Sequence, residues 1–244
     1  MKYVGSKQKI SKYIVPIIQK YIDDNKITQY IEPFVGGSSI IDKIDCNFKY
    51  GFDIDEIPIS IFNHYKKFPQ DLDRLPKIIS KEDFYKIRDD KSYPTWFRSS
   101  IMLFASYNSR VYGGCYGAMA KTKDGTIRNY YQEAINNLRK QLPLLKNIKF
   151  QQRDYRNLIA KNCVIYNDPP YTSGIGYSIK FDHNEFWNWV HEMSKNNIVI
   201  TSEYKAPDDF ECIWEMPVKT HMNNRNKLNK IEKLFIWKGN KNAN

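Results

Sequence analysis

The sequence predicts an α/β fold, a mostly parallel sheet wrapped by helices and interrupted by one helical insert. Three observations predict it. Short apolar runs of strand length recur in residues 27–55 and again in 147–238. Amphipathic helical patterns lie between several of them. Residues 60–146 read differently, as helical, basic and aromatic text around a Gly- and Tyr-rich centre, "FASYNSRVYGGCYGAMAKTKDG". The expected organisation is a sheet domain whose first part covers 1–59, an inserted helical subdomain over 60–146, and a second part of the sheet domain over 147–244.

Taken in order, Ile10, Ile14, Ile17, Ile18, Tyr21 and Ile22 mark an amphipathic helix before the first strand. Pro16, inside it, predicts a kink or the start of a second half. The strands follow as "QYIEPF", "FKYGFDID", then, after the insert, "IKFQQRD", "CVIYNDPPY", "NIVITSEY", "FECIWEMP" and "KLFIWKG". Between the fourth and fifth, "HNEFWNWVHEMSK" places Phe186, Trp189, Val190 and Met193 on one helix face.

The totals exclude several classes. With 244 residues, 41% of them apolar, the chain can bury a core without staples. No run of eighteen apolar residues spans a membrane, and "MKYVGSKQKI" has no signal-peptide core. Cys46, Cys115, Cys163 and Cys212 lie far apart without CxxC spacing and read as free thiols. His64, His183, His191 and His221 form no HxxxH or HExxH pattern, so no metal is expected. Lys plus Arg is 38 against 27 acids, a net +11, which points to a polyanionic partner.

Three constellations carry chemistry. In "YIEPFVGGSSI" a strand runs to Phe34, and Gly36-Gly37 are expected to turn into a helix whose free N–H groups and bare backbone meet a ligand. In "YGFDIDE", Asp53 ends the second strand, sixteen residues after Gly37, where an acid typically accepts ribose hydroxyls. The usual pyrophosphate fingerprint is missing, so the expected cofactor holds adenosine but no phosphate. In "VIYNDPPYTS", Asp168 follows a buried strand. Pro169-Pro170 bend the chain with carbonyls outside any ladder, and Tyr171 offers a flat ring. Carboxylate, carbonyl and ring together suit an exocyclic amine on a flat heterocycle.

These motifs resemble the Dam-type, D12-class DNA adenine-N6 methyltransferases, among them orphan and restriction-modification methylases. "NDPPY" is similar to that family's DPPY catalytic motif, and "EPFVGG" (Glu32, Phe34, Gly36, Gly37) to its FxGG cofactor motif. "YVGSK" (Tyr3 to Lys7) resembles its N-terminal W-x-G-G-K segment, with Tyr for Trp and Ser for Gly. "FDIDE" carries the ribose acid at Asp53, "RDY" the cofactor-adenine acid at Asp154, and "NKIEKLFIW" the closing strand. The order, cofactor motif before insert before DPPY, is the alpha-class order. The insert departs from the family's recognition text; "ASYNSRVYGG" is only faintly like it.

The resemblance implies a Rossmann-like S-adenosylmethionine-dependent methyltransferase fold acting on duplex DNA. It implies that Asp168 accepts one N6 hydrogen, the Pro169 carbonyl the other, and that Tyr171 stacks on a flipped-out adenine. Tyr3 and Lys7 would close over the methionine and sulfonium end of the cofactor. The insert would then hold DNA through Arg110, Lys121, Lys123 and Arg128, interleaved with Tyr107, Asn108, Tyr112 and Tyr116. A second basic segment, "HMNNRNKLNK" with Asn223 and Arg225, would clamp the duplex. The expected location is the cytoplasm of a bacterial or phage-infected cell, on the nucleoid, with no membrane and no obligate protein partner. Rival readings are an RNA adenine methyltransferase and a non-catalytic DNA-binding protein that has kept the fold.

Overall fold

The computed structural model describes residues 1–111, 115–171, 181–219 and 229–240. Seven of its strands form one sheet: β1 (Gln29–Glu32), β2 (Phe48–Asp53), β5 (Ile148–Gln152), β6 (Val164–Asn167), β7 (Ile198–Glu203), β8 (Phe210–Lys219) and β9 (Asn229–Trp237). Two more, β3 (Met119–Lys121) and β4 (Ile127–Asn129), make a separate antiparallel hairpin. The sheet order is β5-β2-β1-β6-β7-β9-β8. The first five are parallel, and β9 runs antiparallel between β7 and β8. All seven apolar runs read from the sequence become sheet strands. The order reverses between β1 and β6, and ligands of open α/β sheets bind beyond the strand ends at such a switch point.

Among the described residues, six α-helices accompany the sheet: α1 (Ser11–Asp24), α2 (Glu56–Lys67), α3 (Lys81–Asp89), α4 (Thr95–Phe104), α5 (Tyr130–Leu145) and α6 (His183–Ser194). Their starts are chemically marked. Asp55, Asn129 and Asp182 accept backbone N–H groups at the heads of α2, α5 and α6. Helix α1 continues through Pro16 as one element. Its buried face, Ile14, Ile18 and Ile22, holds it in place despite the hydrogen bond that proline removes.

One expectation needs correction. The glycine turn does not open an α-helix. β1 stops at Glu32, before Pro33, whose ring nitrogen has no N–H for a ladder. The chain then turns through Gly36 (φ +42) and Ser38 (φ +56) and makes only a one-turn 3-10 helix, Ile41–Lys43. Burial of Ile40, Ile41 and Ile44 pulls it into the core instead. Residues 60–146, read as an inserted helical subdomain, lie between β2 and β5 in the chain and pack into the main core. Position 60 falls inside α2, and Phe62, Leu103 and Leu138 share one hydrophobic cluster with Ile14, Tyr30, Ile148 and Leu234. The region supplies the helical layer on one sheet face, because α2 begins the crossover from β2 to parallel β5. A smaller cluster on the other face, with Ile31, Phe52, Ile165 and Val199, is covered by Phe186 and Val190 of α6.

Candidate active site

A cavity of about 1370 Å³ opens beyond the ends of β1, β2 and β6. Tyr3, Lys7, Glu32, Phe34, Gly36, Gly37, Asp53, Asp154, Asp168, Pro169 and Tyr171, all read from sequence, line it together. Sequence separation between them reaches across most of the chain, so the parallel sheet is what gathers them.

The glycine turn, besides lining the cavity, has a partner within the chain. A Cβ at Gly37 would sit 2.7 Å from the Met1 carbonyl oxygen and 2.9 Å from the Tyr3 Cβ. One at Gly36 would sit 3.0 Å from the Tyr3 ring. The glycines admit the protein's own N-terminal segment, which lies over the turn. From the other side, Gln141 of α5 donates to the Ser38 carbonyl (3.0 Å) and to the Asp42 carboxylate (2.7 Å). Sequence reasoning missed Gln141; a buried glutamine in an apolar helix face was its signal.

Asp53 ends β2 as expected. Its Oδ2 accepts the Gly36 N–H (2.9 Å) and its Oδ1 the Asp55 N–H (3.0 Å). Burial pushes its carboxyl from 3.8 to about 7, against those two backbone bonds. Tyr3 donates its hydroxyl to Asp55 Oδ2 at 3.1 Å, so the N-terminal segment and the β2 end are tied. Asp154 caps a 3-10 turn and is paired with Arg156 through both oxygens (3.0 and 2.5 Å), which holds its carboxyl below the usual range. Beside it, Phe34, Tyr155 and Phe181 form an apolar aromatic wall, with ring centroids 5.3 to 6.0 Å apart.

The β6 end is built differently. Lys7 is buried, and its Nζ lies 2.6 Å from Asp168 Oδ1 and 3.6 Å from Glu232 Oε1. Burial works against the ammonium, but the two carboxylates outweigh it and raise its pKa. Burial also raises Asp168, aided by Glu232 and opposed by Lys7. Tyr171 does not lie open across the mouth. Its hydroxyl donates to Glu232 Oε1, its ring meets Tyr204 edge-on at 4.6 Å, and Lys7 Nζ sits 4.5 Å from its centroid. The expectation that Lys7 only closes over the cofactor is thereby widened, since it is also the counter-ion of Asp168. Glu32 is buried, accepts the Tyr30 hydroxyl at 2.7 Å, and is raised well above the carboxylate range by burial.

Glu232 escaped sequence reasoning, although "NKIEKLFIW" carried a signal: it shares the alternation of Leu234 and Ile236, both core residues. Of the expected DNA-contacting residues, Asn108 (φ 54) and Arg110 line the cavity. Tyr107 is exposed beside them. Lys121, Lys123 and Arg128 sit exposed on the β3–β4 hairpin, away from the cavity lining; Arg128 is paired with Glu133 at 2.5 Å. Tyr116 is structural, donating to the Ile79 carbonyl at 2.8 Å. Tyr112, Asn223 and Arg225 lie outside the described residues.

A Type II methyltransferase, M.MjaIII of Methanocaldococcus jannaschii, is 27% identical over 217 residues, 76% of this chain and 74% of that one. Among solved structures, the rRNA methyltransferase aviRa of Streptomyces viridochromogenes matches at 7% identity and a TM-score of 0.46, over 98% of this chain and 87% of that one. A protein assigned as a methyltransferase and complexed with SAH matches at 11% identity and a TM-score of 0.38, over 95% of this chain and 52% of that one. The model of the D12 class N6 adenine-specific DNA methyltransferases matches residues 3–205, and the chain, with its DPPY strand end and its glycine turn on one cavity, belongs to that family.

Proposed function

We propose that the protein transfers a methyl group from S-adenosylmethionine to N6 of an adenine flipped out of a specific site in duplex DNA. One observation carries this reading: Asp53 and Asp168, acids at the ends of two parallel strands, line the same cavity on either side of the switch point. At about 1370 Å³ the cavity exceeds the roughly 300–1,000 Å³ of one drug-sized ligand, so it accommodates an adenosine and a second base together. The donor set fits the cofactor. Asp53 is a half-buried acceptor for ribose hydroxyls, the Phe34 and Phe181 wall suits an adenine face, and among the described residues no phosphate-binding helix follows the glycine turn. The cofactor supplies a methyl group already activated on a sulfonium.

The chain's own residues then supply geometry and charge. Lys7 fixes Asp168 through Oδ1, and Oδ2 is assigned to one N6 hydrogen. The sheet ladder ends at Asn167, so the Pro169 carbonyl is outside it and is assigned to the other hydrogen. Both contacts draw electron density onto N6 as its bond to the methyl carbon forms and the carbon–sulfur bond breaks. The proton that N6 must lose leaves along the Asp168 contact. Tyr171 bounds the base pocket, and Asn108 and Arg110 guard its rim. The exposed hairpin Lys121, Lys123 and Arg128 contact phosphates, and the region 60–146 sets the target.

Tritiated methyl transfer to duplex DNA, with RNA and protein as controls, tests the substrate. Incorporation into RNA alone would overturn the DNA reading, and N6-methyladenine mapped in DNA from an expressing host would give the target sequence. Calorimetry with EDTA tests the cofactor; no heat at millimolar S-adenosylmethionine would sink that part.

A further inference from the structure

We infer that Glu232 is a positioning residue of the methyl-transfer site, acting through Tyr171 and Lys7; the inference rests on the roles proposed above for Asp168 and Tyr171. It stands on β9, the last strand, facing the core in register with Leu234 and Ile236. An apolar side chain is the ordinary occupant of such a position, and a buried acid there is costly unless partners hold it. Its partners are specific. The single atom Oε1 accepts the Tyr171 hydroxyl and the Ser202 hydroxyl (2.8 Å) and lies 3.6 Å from Lys7 Nζ. Lys7 in turn holds Asp168 at 2.6 Å.

The consequence is geometric. Asp168 and Tyr171 flank the Pro-Pro bend, and Tyr171 is the last described residue before 172–180. Within this cluster, Glu232 reaches both of them from a separate strand, through Tyr171 directly and Asp168 by way of Lys7. It fixes the angle of the ring against which a base lies and the distance from the lysine to the accepting carboxylate. Ser202, at the end of β7, fixes Oε1 from behind. The acid is thus a pivot between the closing strand and the catalytic bend, and its negative charge balances Lys7 so that Asp168 is not the lysine's sole counter-ion.

The experiment compares Glu232→Leu, Glu232→Gln, Tyr171→Phe and the Glu232→Gln/Tyr171→Phe double variant, with Asp168→Ala as reference. Leu suits the apolar register, so Glu232→Leu is expected to melt at or above the wild-type temperature and to bind S-adenosylmethionine within about twofold, since replacing a buried ion often leaves stability intact. Its kcat is expected to fall about ten- to a hundredfold, as for a small misplacement of reacting groups. Glu232→Gln keeps the acceptor and is expected to recover part of that loss. Because the Tyr171 arm is common to both changes while the Lys7 arm belongs to Glu232 alone, the double variant is expected to lose clearly less than the product of the two single losses. Wild-type kcat in Glu232→Leu, or additive losses in the double variant, would overturn the inference. If Glu232→Leu does not fold, the Glu232→Gln cycle decides by itself. Activity in Asp168→Ala would instead overturn the site reading beneath it, so the two failures are distinguishable.

Discussion

The ends of β2 and β6 each offer one aspartate to the same cavity, and they hold it by opposite means. Asp53 is held by two backbone N–H groups, with no cation among its hydrogen-bond partners in the described residues. Asp168 is held by a buried lysine that is shared with a second acid. The backbone bonds fix the position of Asp53 and oppose the rise of its pKa, but burial outweighs them. A lysine supplies charge as well, and keeps an acceptor competent where burial would neutralise it. The contrast suits the two tasks proposed above: Asp53 as acceptor of hydroxyls that persist through the reaction, Asp168 as a carrier of negative charge while N6 becomes electron-poor.

The harshest test of that contrast is Asp168→Ala. Methyl transfer is expected to fall about a hundred- to a thousandfold, by analogy with a lost oxyanion-hole donor, while DNA binding, read by anisotropy, survives. Asp168→Asn keeps the shape and loses the charge; activity near wild type there would show that charge is irrelevant at β6. Lys7→Met removes the only cation bonded to Asp168 among the described residues. The pair is partly buried, with the Asp168 side chain 20% exposed, so a drop in melting temperature is expected that stays below the roughly 3–5 kcal/mol of a fully buried pair. Burial and Glu232, both of which already raise Asp168, would then lose the opposition of Lys7, leaving the weaker one of the Tyr171 hydrogen bond. The acidic limb of the kcat profile is expected to move to higher pH, and an unmoved limb would break the comparison.

At the β2 end the expected effects are smaller and lie in binding. Asp53→Ala should weaken S-adenosylmethionine by about 1–3 kcal/mol, the cost of unpaired hydroxyls in a buried site. The sign with pH follows from a carboxyl raised from 3.8 to about 7. Between those values the folded protein binds a proton that the unfolded chain does not, so this group's contribution to stability falls as pH rises through the window. The ribose acceptor must be ionised, so cofactor affinity is expected to fall as pH drops below about 7. Calorimetry across that range, with Asp53→Asn as the pH-flat control, checks it.

Tyr171→Phe sharpens the comparison inside the β6 cluster. The sequence reading treats the tyrosine as a stacking face, for which Phe is an adequate substitute. The structure puts its hydroxyl on Glu232, so Phe removes one donor from a buried carboxylate. A partial loss of kcat is expected for Phe and a larger one for Ala, which also forfeits a stack worth about 1–3 kcal/mol. Equal activity of Phe and wild type would return the ring to a purely stacking role. Least of all, Lys121→Ala on the exposed hairpin should weaken every DNA sequence alike and lower the salt slope by about one, without touching cofactor affinity.

Much of this was legible in the sequence because strand ends announce themselves. Asp53 and Asp168 close apolar runs, and Pro169 stops the ladder, so parallel pairing alone brings them to one edge. The helix expected after Gly37 was not legible as absent, since Ser38 adopts φ +56 without being glycine and three isoleucines redirect the chain. Lys7 was found as a motif residue, but its pairing with Asp168 joins segments whose contact no local pattern encodes. Glu232 and Gln141 were hidden for the same reason. Each is a polar residue in an apolar register, and only the fold shows what it reaches.

The lysine–aspartate pair spans 161 positions, and the glutamate that braces it comes from the last strand of the sheet. Such contacts are the slowest to form, because a long loop must close before any of them is rewarded. On a ribosome the glycine turn and the β1–β2 pair emerge early, whereas the pocket for the base stays open until β9 threads between β7 and β8. Nascent or truncated chains ending before β9 would therefore carry the cofactor half of the cavity without the brace of the catalytic half, and competence for methylation arrives only with the final strand.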